Sequence, residues 1–568
     1  MAVSPSVVSV REALAPVLPK LSGWRRDLHA HPEACWTEFR TAALVLQRLD
    51  ELGYAIHMGE AACSPSRMGV PSASALEAGR RRALAEGADP GWVSRMGEGF
   101  TGFWADLDCG PGPALAFRFD MDCNDVSECA EADHRPRREG FASRHPGLMH
   151  ACGHDGHVAV GLGLAEVLAR LRPRLHGRIR LVFQPAEEGA RGALPMAEAG
   201  AVDGMDVLLG FHIGFRADRP GTLICGTQRF LATTKRDVVF TGKAAHAGAS
   251  PEEGRDALLA ASAAVLGLHA IARNGKGGTR IAVGRLEGGT VRNVIADTAR
   301  LCMETRGETT ELDAYMVEEA ERIVRSAAEM WGCSCTWTTV GHSAGGSSSP
   351  ELAHLVAEVA QEGGRWERIV PLEAFGASED FACLMNRVQV NGGQAAYMQI
   401  GTERASGHHS ERFDFDEACL GRALELLARL AVRLVGGEAH TETEGNMEFL
   451  DDVVRRKAVH VQAWLEGEDG EGFGLGRIEL LQLVDELGSL SKAAKQLGMS
   501  YRGAWGKIKK AERIVGETLV DASGTKREGS TLTPAGHELV RRFRQWYAEV
   551  EGFAAQRAEV LLSEFREK

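Results

Sequence analysis

Residues 149–189 read MHACGHDGHVAVGLGLAEVLARLRPRLHGRIRLVFQPAEEG, and three kinds of structure follow one another in them. Met149–His157 is polar, holds two glycines and is dense in His and Cys, so it reads as a loop. Val158–Leu171 is apolar over a helical length and predicts a buried helix. Ile179–Phe183 is a short apolar run with β-branched residues and predicts a buried strand. That strand ends on Gln184-Pro185-Ala186-Glu187-Glu188-Gly189, a second loop of ionisable groups. Similar strand runs stand at Ala114–Phe119 and Val207–Phe211. Strands alternating with helices predict an α/β domain with a mainly parallel sheet, whose catalytic groups gather in the loops after the strands.

Upstream, residues 10–56 read as helix interrupted by the polar His29–Glu33, with a second helix over Ala42–Leu52. Between 229 and 344 the pattern is strand (Thr233–Thr241), helix (Asp256–Arg273), two strands (Arg280–Leu286, Ala299–Thr305), helix (Leu312–Met330), strand (Cys335–Val340). That β-α-β-β-α-β order predicts a split-βαβ, ferredoxin-like domain inserted into the first. The first domain is thus expected over 1–228 and 345–435, resuming with helix Leu352–Glu362, strand Gln394–Ile400 and helix Glu417–Val435. Residues 436–473 are acidic and glycine-rich and read as a linker, with a short helix over Met447–Leu465. A last domain is expected over 474–568.

The chain has 568 residues, 44% of them hydrophobic and 25% charged, which argues for several folded domains and against disorder. Its net charge of −13 excludes a uniformly basic nucleic-acid binder, though not a local basic module. None of the 12 cysteines forms a Cys-x-x-Cys pair. The first residues lack a signal pattern, and no apolar run approaches the ~18 residues of a membrane span. The expectation is a cytoplasmic protein without a membrane segment.

Two further loops are rich in metal-binding residue types: Gly210-Phe211-His212-Ile213-Gly214 and Gly407-His408-His409-Ser410-Glu411. Cys152, His154, Glu188, His212 and His409 supply one thiolate, one carboxylate and three imidazoles. That set exceeds one tetrahedral ion and suits two ions sharing a bridging ligand. In the pair Glu187-Glu188, one carboxylate can bind metal while the other stays free to act as a base.

The segments WRRDLHAHPE, MHACGHDGH, QPAEEGARGA, GFHIG, FTGKAAHAGASPEEGRDA, GGTVRNVIAD and SGHHSERFDFDE resemble the dinuclear metallohydrolase family of carboxypeptidase G, aminoacylase and the plant auxin-conjugate hydrolases. SRMGVP…GWVSRMGEGFTG and DLDCGPGPALAFRFDMDCNDVSECAEADHRPRREGFAS narrow the likeness to the aminobenzoyl-glutamate hydrolases of that family. The sequence departs from the pattern at Cys123 and Ala296, neither a ligand position. The resemblance, over about residues 10–435, implies that Cys152, His154, Glu188, His212 and His409 hold two divalent ions (zinc, manganese or cobalt). It implies that Glu187 is the general base and that the inserted domain is a lid and dimerisation domain. It further implies that His246 polarises the scissile carbonyl in the neighbouring subunit of a homodimer. Asn293 and Arg306 are implied to hold a substrate carboxylate, for which a guanidinium fork is suited. The expected substrate is a small N-acyl or N-aroyl amino acid, and the resemblance leaves room for a second hydrolase subunit.

Residues 474–568 carry 16 Lys/Arg against 13 Asp/Glu, unlike the rest. Helices at Gly476–Leu487, Ser491–Gly498 and from Met499 to about Ile514 predict a helix-turn-helix, with Ala493 and Ala494 at the crossing. Thr518–Val520 and Ser530–Leu532 read as a two-stranded wing, followed by a helix from Pro534 to about Glu551. GSLSKAAKQLGMSYRGAWGKIKKAE and LTPAGHELVRRF resemble the winged-helix domain of the molybdate-responsive regulators and, more loosely, the LysR type. Ser500, Tyr501, Arg502, Lys507, Lys509, Lys526 and Arg527 are the candidate contacts to duplex DNA. The reading is an amidohydrolase fused to a DNA-binding module. Its rivals are a regulator using the hydrolase fold as receptor, and a hydrolase whose tail contacts protein.

Overall fold

Helix His154–Leu171 is buried on nearly every side, as its apolar run demands. It packs against helices Leu21–Ala30 and Ala418–Val435. Glycine lets it lie that close: a Cβ on Gly156 would fall 2.7 Å from the Ile213 and Phe415 side chains, and one on Gly161 2.9 Å from Phe183. Each glycine costs about 1 kcal/mol of helix propensity, which the packing outweighs. The computed structural model describes residues 8–436, 464–466, 472–497, 499–521 and 530–563. Two compact units divide the chain, Met1–His440 and Thr441–Lys568.

The first unit contains strands β1 (Ala55–Met58), β2 (Phe103–Asp108), β3 (Ala114–Asp120), β4 (Arg178–Gln184), β5 (Val207–Ile213), β6 (Thr222–Gln228), β7 (Ala232–Thr241), β8 (Thr279–Gly288), β9 (Thr298–Gly307), β10 (Ser334–Ser343), β11 (Arg368–Ala374) and β12 (Gln394–Ile400). Eight form one sheet in the order β1-β2-β4-β3-β5-β12-β6-β11. At its centre β4, β3, β5 and β12 run parallel, with Asp120 opposite Gln184 and Gln399 opposite His212. Their C-terminal ends therefore finish along one edge. The sheet is parallel at its centre, as expected, and mixed overall, because β1–β2, β2–β4 and β12–β6 pair antiparallel. β11 contains Pro371, which a ladder tolerates at an edge, and it lies at the edge.

The other sheet is antiparallel, in the order β10-β7-β9-β8, and shares one core with helices Ala257–His269 and Thr310–Met330. Along the chain its elements run β-α-β-β-α-β. Residues 10–56 do not form one helix: they divide into Val10–Leu14, Leu21–Ala30, Phe39–Glu51 and strand β1. No helix among the described residues is long and apolar enough to cross a membrane.

In the second unit, helices Leu475–Leu487, Leu490–Gln496 and Tyr501–Val515 precede a short ladder between Val520–Asp521 and Thr531–Leu532. The last helix, Pro534–Ser563, runs well past Glu551. Of the helix expected over Met447–Leu465, Trp464 and Leu465 are strand instead. Their backbone finds its partners in Gly472–Gly474, with Trp464 opposite Gly474. The rest of that expected helix lies outside the described residues.

Two buried charge clusters hold the first unit's loops against the sheet. Arg25 is fully buried, 2.9 Å from Asp155, 2.8 Å from Asp414 and 3.4 Å from Glu417. Burial would raise the Asp155 carboxyl, but Arg25 and the 2.8 Å bond to His29 outweigh it and hold it below the usual range. Glu38, just before helix Phe39–Glu51, accepts from the Ala186 amide at 2.9 Å and the Thr101 hydroxyl at 2.6 Å. Burial, then the Asp122 charge, push Glu38 up to about 8.

Arg25→Ala strands these carboxylates without a counter-charge, and the expected loss in urea unfolding is roughly 3–5 kcal/mol. A loss under ~1 kcal/mol would mean that water already reaches them. For Glu38, the folded metal-free protein keeps a proton between pH 4.5 and about 8 that the unfolded chain releases. Its contribution to stability therefore falls as pH rises through that window, by at most about 1.4 kcal/mol per pH unit. Glu38→Gln removes that slope, and parallel stability–pH curves for parent and variant would refute it.

Candidate functional site

The loops after β3, β4, β5 and β12 meet at the common sheet edge, joined by the start of helix His154–Leu171. Gly153, with φ +92°, turns the chain so that Cys152 precedes the helix and His154 opens it. The His154 Nδ1–H donates to the Asp122 carbonyl at 2.8 Å, and His154 Nε2 has no hydrogen-bond partner although buried. The His212 Nδ1–H donates to the Ile213 carbonyl at 2.9 Å, and its Nε2 lies 3.3 Å from Cys152 Sγ. Burial, then the neighbouring His157 and His408, hold His212 well below the usual imidazole range, so Nε2 keeps its lone pair.

His409 Nε2 is 3.3 Å from Glu188 Oε1, which makes no hydrogen bond. Cys152 and Glu188 beside it push His409 up to about 10. Ligand atoms of Cys152, Glu188 and His409 lie within 4.8 Å of one another, as do those of His154, Glu187 and Glu188. Cys152 forms a further group with His212 and His408. His408 is otherwise engaged, its Nδ1 2.8 Å from Arg404 and its Nε2 donating to the Ile213 carbonyl at 3.2 Å. The structure thus brings Cys152, His154, Glu187, Glu188, His212 and His409 together.

Ala186 and Ala190 flank the glutamate pair at φ +51° and +60°, a left-handed conformation that glycine alone adopts freely. The turn is closed by Ala190 N–H to the Glu187 carbonyl at 2.7 Å and Arg191 N–H to the Ala186 carbonyl at 3.1 Å. Burial, then Glu379, Glu188 and Asp380, push the Glu187 carboxyl well above its usual range. Glu379 and Asp380 are absent from the sequence-derived set. They share the buried Arg118 at 3.1 and 3.2 Å, and Arg118 also binds Asp120 at 2.5 Å. Asp120 in turn accepts from His157 Nδ1 at 2.5 Å, and His157 Nε2 accepts from the Ile213 amide at 3.0 Å. The signal for this layer is two aspartates at the end of an apolar strand, in FRFDMDCND.

His246, Asn293 and Arg306 lie outside this cluster. His246 is exposed, and its Nδ1 accepts from the Gly248 and Ala249 amides at 3.1 Å, leaving the proton on Nε2. Asn293 is exposed beside it, its carbonyl accepting from the Ala247 amide at 3.0 Å. Arg306 is held by Glu304 at 2.7 and 3.2 Å and reaches Ser378 at 3.5 Å.

In the second unit Ser500 caps helix Tyr501–Val515 by accepting from the Gly503 amide at 3.1 Å. Tyr501, Arg502 and Lys507 are exposed. Lys509 pairs with Glu512 at 2.6 Å and lies over the Trp505 ring. Arg502, Lys509 and Arg513 recur at spacings that place them on one helix face, and Arg513 is an addition to the residues expected there. Lys526 and Arg527 lie outside the described residues.

Residues 116–433 match the profile of peptidase family M20/M25/M40, and residues 475–537 that of the bacterial regulatory helix-turn-helix proteins of the lysR family. The chain is 47% identical to the indole-3-acetyl-aspartic acid hydrolase of Enterobacter agglomerans over 74% of its length and 98% of that protein's. It is 47% identical to a p-aminobenzoyl-glutamate hydrolase component of Escherichia coli K12, over 75% of its length and 98% of that protein's. The crystal structure of an aminobenzoyl-glutamate utilization protein from Klebsiella pneumoniae superposes with a TM-score of 0.64 at 39% identity, covering 75% of this chain and 98% of that one. The chain belongs to peptidase family M20/M25/M40, as an amidohydrolase that carries a C-terminal helix-turn-helix domain.

Proposed function

We propose that the protein hydrolyses the amide bond of an N-aroyl or N-acyl amino acid at a two-metal centre. The observation that carries this is the convergence of Cys152, His154, Glu188, His212 and His409, with His154 Nε2 and Glu188 Oε1 buried and without hydrogen-bond partners. Thiolate, carboxylate and neutral imidazole suit divalent zinc, manganese or cobalt. Two such ions supply electrophilic polarisation and lower the pKa of water.

Glu187 stands beside those ligands without being needed among them. It takes a proton from the attacking water and returns it to the departing nitrogen. His246, protonated on Nε2, donates to the carbonyl oxygen as charge develops there. Its exposure away from the cluster accords with service in a neighbouring protomer. Asn293 and Arg306 hold the substrate's α-carboxylate. Phe215 lies 5.7 Å from His212 and 5.4 Å from His408, an apolar wall for an aromatic acyl group.

The β7–β10 sheet acts as lid and dimerisation domain in this reading. Leu258, Leu259 and Leu266 stand exposed on helix Ala257–His269, Leu266 by 75%, beside β8, which is an edge strand. An apolar face of this kind suits burial against a second copy. The helix-turn-helix domain binds duplex DNA through Ser500, Tyr501, Arg502, Lys507 and Lys509, with Lys526 and Arg527 from the wing, and links the hydrolase to transcription. Its candidate contacts are mostly basic, whereas a tail made for protein contact has no need of such a face. A retained Glu187 likewise favours turnover over a pure receptor.

Glu187→Gln is expected to keep its metal by elemental analysis while kcat falls at least ~100-fold. Glu188→Gln is expected to lose metal. Normal turnover by fully loaded Glu187→Gln protein would sink the base assignment. Removing residues 441–568 is expected to abolish salt-sensitive retention of duplex DNA in a gel shift and to leave hydrolysis nearly unchanged. If the full chain retains no duplex at low salt, DNA binding is excluded.

A further inference from the structure

Residues directly opposite on neighbouring strands share a face of the sheet, so ladder register sorts the charges of the β7–β10 sheet. Leu301 and Met303 of β9 and Ile281 and Val283 of β8 pack with the helices. Arg300, Glu304 and Arg306 therefore stand on the open face, with Glu287, Lys235 and Arg280 opposite them in that order. One end of this face is balanced, since Arg300 pairs with Asp237 and Arg285 with Glu287. The other end is not. Lys235 and Arg306 share Glu304 at 3.2 and 2.7 Å. Arg280 is exposed and has no hydrogen bond or ion pair to any described residue. Glu308, just past β9, is taken by Arg229 at 3.0 Å.

Arg280 opposite Arg306 is the one pair of like charges facing each other in the described strand ladders. Elsewhere in them Arg180 faces Asp106, Arg178 faces Asp108, Lys235 faces Glu304 and Arg300 faces Glu287. Lys243 and Arg255 face each other in an isolated bridge outside the strands, where Arg255 donates to the Glu252 and Gly254 carbonyls. Like charges directly opposite work against a ladder, and an anion seated between them turns that repulsion into attraction.

This cationic end borders the centre. Arg306 reaches the Ser378 hydroxyl at 3.5 Å, and Ser378 directly precedes Glu379, whose carboxylate lies within 4.8 Å of that of Glu187. Arg280 stands one strand farther out, about 4.8 Å, a gap that the carbon skeleton of a glutamate can bridge. We propose that Arg280 receives the side-chain carboxylate of an acidic amino acid whose α-carboxylate is held at Arg306, and so selects acidic conjugates over neutral ones. This rests on the hydrolase reading, including the place it gives Arg306, and deepens it by assigning the residue that reads the amino acid.

The test compares 4-aminobenzoyl-glutamate with 4-aminobenzoyl-glutamine, which match in shape and differ in that one charge. The full metal-loaded chain should prefer the glutamate compound by roughly 5- to 30-fold in kcat/KM. That is about 1–2 kcal/mol, between an exposed ion pair and a charge-assisted hydrogen bond. Arg280→Gln should remove most of the preference and Arg280→Glu should invert it. Arg285→Gln, on the same strand at the balanced end, should leave the ratio where it was. A ratio unmoved by both Arg280 variants overturns the assignment, and so does an equal shift in Arg285→Gln. Calorimetric binding of the same two compounds separates this from the hydrolase reading. Arg280-dependent discrimination in binding without any turnover would overturn the hydrolase reading and keep the carboxylate seat. Turnover with no Arg280-dependent discrimination would do the reverse.

Discussion

One carboxylate, Asp122, organises the centre. It is fully buried and accepts the Glu187 amide on one oxygen and the Glu188 amide on the other, each at 2.9 Å. Cys35 Sγ donates to it, and the carbonyl of the same residue takes the His154 imidazole at 2.8 Å. The end of β3, the turn after β4 and the first residue of helix His154–Leu171 are thereby tied to a single point. A buried anion without such donors would cost several kcal/mol, so satisfying Asp122 and aligning the glutamate pair are one requirement. Burial would raise its pKa, but the bond to His154, the His154 charge and the two amides outweigh that and keep it ionised.

Around that point the charges are graded. Glu187, Glu379 and Asp380 crowd together, and Arg118 is the cation that lets two of them stay inside. Asp380 also takes the Gly192 and Ala193 amides at 3.2 and 3.0 Å, binding the segment after the glutamate turn to the start of helix Phe381–Val390. Each wall of the centre thus depends on residues distant in sequence.

What is legible in the sequence follows from what periodicity encodes. The run Val158–Leu171 forms the expected helix, which begins one turn earlier at His154, inside the stretch read as a loop, and the short apolar runs of β3, β4 and β5 form strands where they stand. β6 and β11 carry a weaker signal and are found only in the structure. The first has no flanking helix signal, and the second carries a proline that an edge position excuses. The helix-turn-helix is readable because its small residues and caps are local, Ser489 and Ser500 both accepting amides of their own helices. The candidate ligands are visible as clusters of Cys, His and Glu in loops. Glu379, Asp380 and Arg118 are not, since their partners lie up to 262 residues away and no local pattern marks such pairing.

The left-handed alanines on either side of Glu187-Glu188 bear on access to the centre. A non-glycine residue in that conformation costs about 1 kcal/mol and stays there only where its surroundings hold it. With Ala186 and Ala190 both so placed, and Asp122 and Glu38 gripping the amides between and before the glutamates, this turn is a fixed wall and cannot be a door. Whatever displacement admits an amide substrate and releases two products must come from elements that carry no such lock.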